Sequence, residues 1–203
     1  MAALKTYPGS CHCGNIKYLV KLSLPPQKGA HPFDQKPKIY KCNCTTCHKM
    51  GLFHVRPVNP GDQFLLLSPD PSELGEYRCF SKNHAWHFCK TCGVRTFALG
   101  GHWVETEVDV GEWEGKASGD GTKRKVWKTK GKKTTVIEDG KEVENIGFYL
   151  SINAVTLEPG EDVDLPKWKD NGWVYYIDLL SMDAGHPGEP EARYDEPYFG
   201  GMY

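Results

Sequence analysis

Short runs of apolar residues, separated by turn residues, recur along the chain. The alternation is clearest in ETEVDVGEW (105–113), where Thr106, Val108 and Val110 share one side and acidic residues the other. A period of two residues is typical of a β-strand with one buried face. Four further runs are predicted as strands because they are apolar or rich in aromatic and β-branched residues: IKYLVKLSL (16–24), QFLLLS (63–68), IGFYLSINAVTLE (146–158) and WVYYIDLL (173–180).

No long amphipathic helical pattern interrupts these runs, and 22 glycines and 14 prolines are scattered between them. The pattern therefore predicts a mainly β fold of antiparallel sheets, with few or no long helices. We expect a domain over 1–165 with a basic insertion at about 114–145. The remaining residues, 166–203, are expected to add a C-terminal strand and a tail rich in Pro, Gly and aromatic residues, packed on the same domain.

Composition narrows the class of protein. A chain of 203 residues suits one domain with a substantial core. Its formal net charge of −1 gives no general attraction to nucleic acid or to acidic membranes. No apolar stretch approaches the about 20 residues of a membrane span, and MAALKTYPGS lacks the apolar core of a secretory signal. We therefore expect a cytoplasmic protein with no membrane partner.

One segment, KASGDGTKRKVWKTKGKK (116–133), is strongly basic, with Asp120 as its single acidic residue. The simpler interpretation is an exposed hairpin or loop whose charges are solvated. The alternative is a basic arm that covers an anionic substrate or contacts nucleic acid.

Eight cysteines carry the chemical signal, and their close spacing without an export signal favours metal-bound thiolates over disulfides. Cys11 and Cys13 lie in CHCG, and Cys89 and Cys92 lie in CKTCG. A glycine after each pair permits the positive φ that such a turn can require. Two pairs from distant parts of a β domain predict a closed four-sulfur Zn²⁺ site with a structural role.

The remaining cluster, CNCTTC, offers three sulfurs, from Cys42, Cys44 and Cys47. Three protein ligands with one open position are the arrangement of a catalytic zinc. The alternative is a closed site with a histidine as fourth ligand, and an iron site for electron transfer is less consistent with three sulfurs. Five histidines are candidates for the fourth corner: His48, His54, His84, His87 and His102. Cys79, which stands alone in the sequence, is predicted to be a small buried strand residue.

An open zinc held by three thiolates is soft and suits a sulfur ligand, so the natural chemistry is making or breaking a carbon–sulfur bond. Such a reaction needs a group that moves a proton, for which His48 and His54 are the predicted catalytic residues and His84 a further candidate. Cations that could bind the carboxylates of a thiol such as glutathione are Arg56, Arg95 and the stretch Lys123–Lys133. Aromatic side chains that could line the cleft are Trp86, Trp103 and Tyr149.

Taken together, GSCHCG (9–14), CNCTTC with its following Gly51, FCKTCG (88–93) and SINAVTLE (151–158) resemble the glutathione-dependent formaldehyde-activating enzyme family, which includes the centromere protein V domain. The resemblance spans about residues 7 to 158. It implies a β-tent zinc fold with two Zn²⁺ ions, one structural and one catalytic, divided between the cysteines as above.

The activity that this resemblance implies is condensation of formaldehyde with glutathione to S-(hydroxymethyl)glutathione, a carbon–sulfur lyase reaction written in reverse. The expected partner is a small-molecule thiol, such as glutathione or a glutathione conjugate, and not nucleic acid. The alternative is a non-enzymatic zinc module that binds nucleic acid or a protein through the basic loop. A third interpretation is a metallochaperone or a thiol redox protein.

Overall fold

The structure is a computed structural model. It describes residues 2–26, 38–80, 82–116, 121–138, 141–183 and 192–201, with only the backbone described at 134–138 and 143–146. Residues 27–37, positions 117–120 of the basic segment and residues 184–191 of the tail lie outside the described residues.

Strands form most of the regular structure. In chain order they are β1 Leu4–Ser10, β2 Lys17–Ser23, β3 Lys38–Cys42, β4 Phe53–Arg56, β5 Phe64–Ser68, β6 Gly75–Tyr77, β7 Ala85–Phe88, β8 Arg95–Gly100, β9 His102–Asp109, β10 Lys123–Lys130, β11 Lys132–Glu138, β12 Lys141–Gly147, β13 Tyr149–Asn153, β14 Tyr175–Ile177 and β15 Ala192–Arg193.

The helices of the described residues are short, four to six residues each. They are α1 Thr45–Met50, α2 Pro60–Gln63, α3 Val110–Glu114, α4 Leu165–Asp170 and α5 Leu180–Asp183, with 3₁₀ turns at Pro71–Glu73 and Ala154–Thr156. None of them is long and apolar enough to cross a bilayer. The prediction of a mainly β fold without long helices is confirmed.

The strands of the described residues form three sheets. The first has five strands in the order β1-β2-β5-β10-β9, and the second is the hairpin β11-β12. The third has eight strands in the order β15-β14-β3-β4-β13-β8-β7-β6. Its neighbours are antiparallel except for β14 beside β3, which are parallel.

The eight-stranded sheet has two chemically different faces, because successive side chains of a strand point to opposite sides. Its core face carries Val55 opposite Ile152, and Ile152 opposite Phe97. Phe97 reaches across to the five-stranded sheet, where its ring packs 5.9 Å from that of Tyr18 and 5.3 Å from that of Phe64. The main hydrophobic core therefore lies between these two sheets.

The other side of the same sheet, called here the site face, carries polar and aromatic residues. Tyr40 lies opposite Tyr175 on β14 and opposite His54 on β4. Cys42 lies opposite Ile177, and Tyr149 follows at the same side of β13. The sheet thus separates an apolar core from a row of side chains that can bind ligands or take part in chemistry.

Three predicted strands end earlier than expected. At 105–113 the strand stops at Asp109, whose side chain accepts a hydrogen bond from the Glu112 N–H and begins helix α3. The run at 146–158 is divided at Phe148 and turns into a 3₁₀ helix after Asn153. In 173–180 the strand is limited to three residues and α5 begins at Leu180. In each case a local cap or turn replaces the end of the predicted strand.

The basic segment is part of the five-stranded sheet over most of its described length. Along β10, Lys123 lies opposite Asp109 and Lys125 opposite Glu107 of the acidic strand β9, and Lys125 Nζ is 2.8 Å from Glu105 Oε2. Two of the four lysines of β10 are therefore matched by carboxylates on the neighbouring strand, while Lys128 lies opposite Val104 and Lys130 opposite His102. This arrangement agrees with the simpler interpretation of solvated, locally balanced charges.

Candidate metal centres

The first cysteine cluster consists of Cys11, Cys13, Cys89 and Cys92, whose sulfurs all lie within 4.8 Å of one another. The Sγ of Cys13 is 3.6 Å from that of Cys11 and 3.6 Å from that of Cys89. A tetrahedral ion with metal–sulfur distances of about 2.3 Å would separate its sulfurs by about 3.8 Å. The four-cysteine cluster therefore has the spacing of a closed metal site.

Two matching turns build this four-cysteine cluster. Gly14 donates its N–H to the Cys11 carbonyl at 2.9 Å, and Gly93 donates to the Cys89 carbonyl at 2.9 Å. Both glycines have a positive φ, 74° and 75°, which a residue with a Cβ adopts at a cost. Burial raises the pKa of Cys89, but N–H groups of Cys92 and Thr91 outweigh it and lower the pKa to about 6. The turn thus favours the thiolate that a metal requires.

The second cluster consists of Cys42, Cys44 and Cys47, all buried, with their sulfurs within 4.8 Å of one another. Cys42 ends β3 and Cys44 caps α1, where its sulfur accepts the Cys47 N–H at 3.4 Å. The Cys44 N–H donates in turn to Cys42 Sγ at 3.3 Å. Hydrogen bonds from Cys42 and Cys47 hold the pKa of Cys44 far below its usual range. The strand-to-helix turn thus gathers three sulfurs and stabilises thiolate charge at Cys44, while hydrogen bonding within the cluster raises the pKa of Cys42 and of Cys47.

His54 lies next to this three-cysteine cluster. Its Nε2 is 3.1 Å from Cys47 Sγ and its Nδ1 is 2.7 Å from Ser151 Oγ. Burial lowers the pKa of His54 to about 3, so the imidazole is neutral at physiological pH. The contact fits a tautomer in which Nε2–H donates to the Cys47 sulfur and Nδ1 accepts from the Ser151 hydroxyl.

This histidine does not complete the coordination set. In the described residues, the group whose ligand atoms all lie within 4.8 Å of one another contains the three cysteines and no fourth Cys, His, Asp or Glu. His54 contacts one sulfur of the cluster and is held by Ser151 on its other nitrogen. The three-sulfur geometry is therefore that of a site with an open corner within the described part of the chain.

The other predicted histidines occupy different places. His48 is exposed on α1, and no hydrogen bond joins it to the three sulfurs in the described residues. His84 lies on the site face, with its ring 4.4 Å from that of Tyr149. His87 is buried on the core face against Phe97, and His102 is exposed at the start of β9. Of the five candidates, His54 is the one that contacts a sulfur of the cluster.

Cys79 was expected to be a buried strand residue, and this expectation is wrong. It is half-buried in the loop that follows β6, with its Sγ 3.5 Å from Thr46 Oγ1 of α1. The strand β6 ends two residues earlier at Tyr77. Cys79 therefore belongs to neither cluster, although it contacts the helix that carries Cys47.

The predicted cations and aromatic residues divide between the two sides of the protein. Arg56 lies over the Tyr149 ring at 4.5 Å, and Trp86 lies 6.1 Å from His54, so all three predicted residues are on the site face. Arg95 instead lies over Phe88 at 5.2 Å. Trp103 packs on the core side, 5.8 Å from Phe97.

Three residues of the site were not found from sequence. Asn43 is 4% exposed and binds the chain segment after β14, because its Oδ1 accepts the N–H groups of Leu179 and Leu180 at 2.8 and 3.0 Å. Ser151 orients His54, and Tyr175 stacks 5.3 Å from Tyr40. The alternation of polar and apolar residues in YLSIN could have indicated Ser151. Nothing local indicates Tyr175 or the role of Asn43, because both depend on contacts distant in sequence.

The C-terminal tail packs close to the three-cysteine cluster. Strand β15 pairs with β14, and Asn43 Nδ2 donates to the Phe199 carbonyl at 3.2 Å. Tyr198 and Gly201 line a narrow gap beside Cys42. The described end of the chain therefore forms part of the wall around the cluster.

Comparisons with known proteins add little to this description. No protein-family model and no curated protein matches the chain. Among solved structures, it is similar to a Rhodobacter sphaeroides protein from a structural genomics project, with 16% identity and a TM-score of 0.40. The match covers 78% of this chain and 94% of the other. A similarity this distant assigns no activity.

Proposed function

We propose that the protein is a zinc-dependent carbon–sulfur lyase or synthase that acts on glutathione or another thiol. The activity would be that of the glutathione-dependent formaldehyde-activating enzymes that its cysteine motifs resemble. The observation that carries the proposal is the three-cysteine cluster, in which three buried sulfurs converge and no fourth ligand joins them among the described residues. A purely structural zinc site would be expected to have four protein ligands.

Both clusters fit Zn²⁺ by the chemistry of their donors. The four-cysteine cluster would hold a structural ion, and Cys42, Cys44 and Cys47 would hold the catalytic one. A bound zinc in such a set supplies a soft Lewis acid, which favours the thiolate form of a substrate thiol. The lowered pKa values of Cys44 and Cys89 favour the deprotonated ligands that binding requires, whereas a metal ion would have to displace the protons of Cys42 and Cys47, whose pKa values are raised.

The residues around the three-cysteine cluster suit a reaction shielded from water. Tyr40 and Leu52 are buried beside the sulfurs, and Trp86 packs against them. Ser151 fixes the ring of His54, which in turn holds Cys47. A site with fixed groups and little water strengthens every electrostatic interaction within it.

In the proposed condensation, a bond forms between the substrate sulfur and the carbonyl carbon of the aldehyde, and the thiol proton ends on the carbonyl oxygen. The reaction is balanced without an oxidant or reductant. His54 is the proposed proton-handling residue, because its Nε2 lies beside the sulfurs and its Nδ1 is paired with the Ser151 hydroxyl. His48 is not proposed for this role, because its side chain is exposed on α1.

The function is tested by metal analysis together with turnover. The wild-type protein is expected to contain two zinc ions per chain and to form S-(hydroxymethyl)glutathione from glutathione and formaldehyde. Cys44→Ser should lose one ion and the activity while it keeps its circular dichroism spectrum. Cys79→Ser is the matched control, because it removes the cysteine that lies outside both clusters, and should retain both ions and full activity.

Two results would overturn the proposal. One is undiminished turnover in Cys44→Ser after loss of an ion. The other is a Co²⁺-substituted protein in which the second ion shows three sulfurs and the His54 nitrogen as ligands and no spectral change with glutathione. In the second case the cluster would be a closed structural site, and a gel shift at two salt concentrations would test the alternative of a nucleic-acid-binding module.

A further inference from the structure

The site face contains a half-buried cation, Arg56, one of whose donors is buried without a partner. The guanidinium carbon of Arg56 lies over the Tyr149 ring, 4.5 Å from its centroid. Its Nε is buried and makes no hydrogen bond. No carboxylate forms an ion pair with Arg56 in the part of the chain that the structure describes. A buried N–H donor is normally paired with an acceptor, so the missing acceptor at Arg56 Nε indicates a place for a ligand.

A second unpaired group lies on the same face. Tyr175 is 3% exposed, and its buried hydroxyl has no hydrogen-bond partner. Burial raises the pKa of Tyr175, and the positive charge of Arg56 opposes that effect. The phenol therefore stays protonated at physiological pH and lies within the electrostatic reach of the guanidinium. Two donors, one of them charged, are thus left without acceptors in one region.

Both groups are connected to the three-cysteine cluster by direct contacts. The Tyr175 ring stacks 5.3 Å from Tyr40, which stacks 4.5 Å from His54, the residue that contacts Cys47. Arg56 is two residues after His54 on β4 and so projects to the same side of the sheet. A ligand the size of a tripeptide could reach from the sulfurs to these donors.

The chemistry of the unpaired donors defines what they would bind. The Nε edge of a guanidinium presents parallel N–H groups that match the two oxygens of a carboxylate, and a phenol adds a third donor. The site face is also open to solvent at this end, because Arg56, His84 and Tyr149 are only half-buried. A planar anion can therefore enter without displacing a protein carboxylate.

We propose that Arg56 and Tyr175 form a carboxylate-binding subsite beside the three-cysteine cluster, so that the substrate is a thiol that carries a carboxylate. The proposal rests on the proposed function for the identity of the thiol end. The subsite itself depends only on the two unpaired donors. It would select glutathione-like thiols against neutral ones by leaving both donors unpaired when the carboxylate is missing.

Isothermal titration calorimetry with four probes tests the subsite. Glutathione and its diethyl ester differ in their carboxylates, and S-methylglutathione and its diethyl ester repeat the comparison without a free thiol. Arg56→Gln should weaken binding of glutathione and S-methylglutathione about 10- to 100-fold, and Tyr175→Phe about 5- to 10-fold. Both esters should bind the wild-type protein more weakly, and the two substitutions should leave their affinity unchanged.

Two matched controls accompany these variants. Arg78→Gln removes the same charge from an exposed arginine that is already paired with Glu76, and Tyr176→Phe removes the hydroxyl of the residue after Tyr175 on the other face of β14. Neither should change the affinity for any probe. If Arg56→Gln does not fold, Tyr175→Phe and the ester comparison on the wild-type protein still decide the question.

The outcomes separate the subsite from the enzyme activity. If the esters bind the wild-type protein as well as the acids do, or Arg56→Gln leaves acid binding unchanged, the subsite is refuted while thiol turnover can persist. If S-methylglutathione binds in an Arg56-dependent way but no turnover of thiol adducts occurs, the subsite stands and the proposed function fails.

Discussion

Asn43, between two cysteines of CNCTTC, should control how the C-terminal segment closes over the three-cysteine cluster. Its side chain is 4% exposed and makes four hydrogen bonds. Nδ2 donates to Asp178 Oδ1 at 2.7 Å and to the Phe199 carbonyl, while Oδ1 accepts two backbone N–H groups at the start of α5. The perturbation is Asn43→Ala, which removes all four.

The expected loss of stability depends on which hydrogen bonds each partner of Asn43 keeps after the substitution. The bond to a carboxylate is the strongest, but Asp178 keeps its bonds to the Ser181 hydroxyl and N–H, so its loss costs about 1.5 kcal/mol. The N–H groups of Leu179 and Leu180 lose their acceptor. Each of these two losses costs about 1 kcal/mol, because water is a poor replacement for the acceptor. The Phe199 carbonyl belongs to an exposed residue and adds little. We expect a loss of about 3.5 kcal/mol, confined to the segment after β14.

Hydrogen exchange measures this loss directly. A local cost of about 3.5 kcal/mol corresponds to about 300-fold faster exchange of the Leu179 and Leu180 amides. Trypsin should also cleave faster after Arg193, whose guanidinium is held by the carbonyls of Glu196 and Pro197 within the docked tail. Asn59→Ala is the matched control, because Asn59 also donates to a carboxylate, that of Asp62, but is exposed. It should change neither reading.

This role of Asn43 would be refuted if Asn43→Ala left both amides at wild-type exchange rates. It would also be refuted if the protection were lost equally in β2 and β5. The first result would mean that Asn43 does not hold the tail, and the second that its contribution is to the whole fold.

Three further predictions concern stability. Cys13→Ser should unfold the domain and release the ion proposed for the four-cysteine cluster, since a structural zinc site contributes on the order of 10 kcal/mol. Circular dichroism with zinc analysis measures this, and a folded variant would contradict it. Phe97→Ala should cost about 3–5 kcal/mol in urea unfolding, because Phe97 fills the space between the two large sheets, and a loss under 1 kcal/mol would contradict that packing. Burial lowers the pKa of His87 to about 4, below its ordinary 6.5, so stability should be full above pH 6.5 and fall as the pH approaches 4. Between pH 6.5 and 5 the wild-type protein should lose about 2 kcal/mol more than His87→Gln, and equal losses would refute the assignment.

Local features of the fold were predictable from sequence, and long-range ones were not. The strand at 16–24 and the glycine turns after Cys13 and Cys92 follow from spacing and residue type alone. The ends of the strands at 105–113 and 173–180 were missed because caps decide them, and a cap such as Asp109 is compatible with either continuation.

The candidate site shows the same division. The two sets of sulfurs were expected from their spacing, and their convergence is observed. The pairing of His54 with Ser151 joins residues 97 positions apart in sequence, and Tyr175 reaches Tyr40 through a parallel strand pair. Such contacts depend on strand order, which periodicity within a single strand does not determine. The catalytic role of His54 stays a prediction, to be decided by the metal and turnover measurements.

Because the eight-stranded sheet has two different faces, substitutions can change its ligand preference without changing its core. Neighbouring positions along β4 alternate between packing and chemistry, since Val55 is enclosed among apolar side chains while His54 and Arg56 face the other way. Substitutions at every second position can therefore alter ligand preference while the interior packing is left intact. Related chains with the same scaffold would be expected to vary most at those alternate positions, and a designer could randomise them without first stabilising the fold.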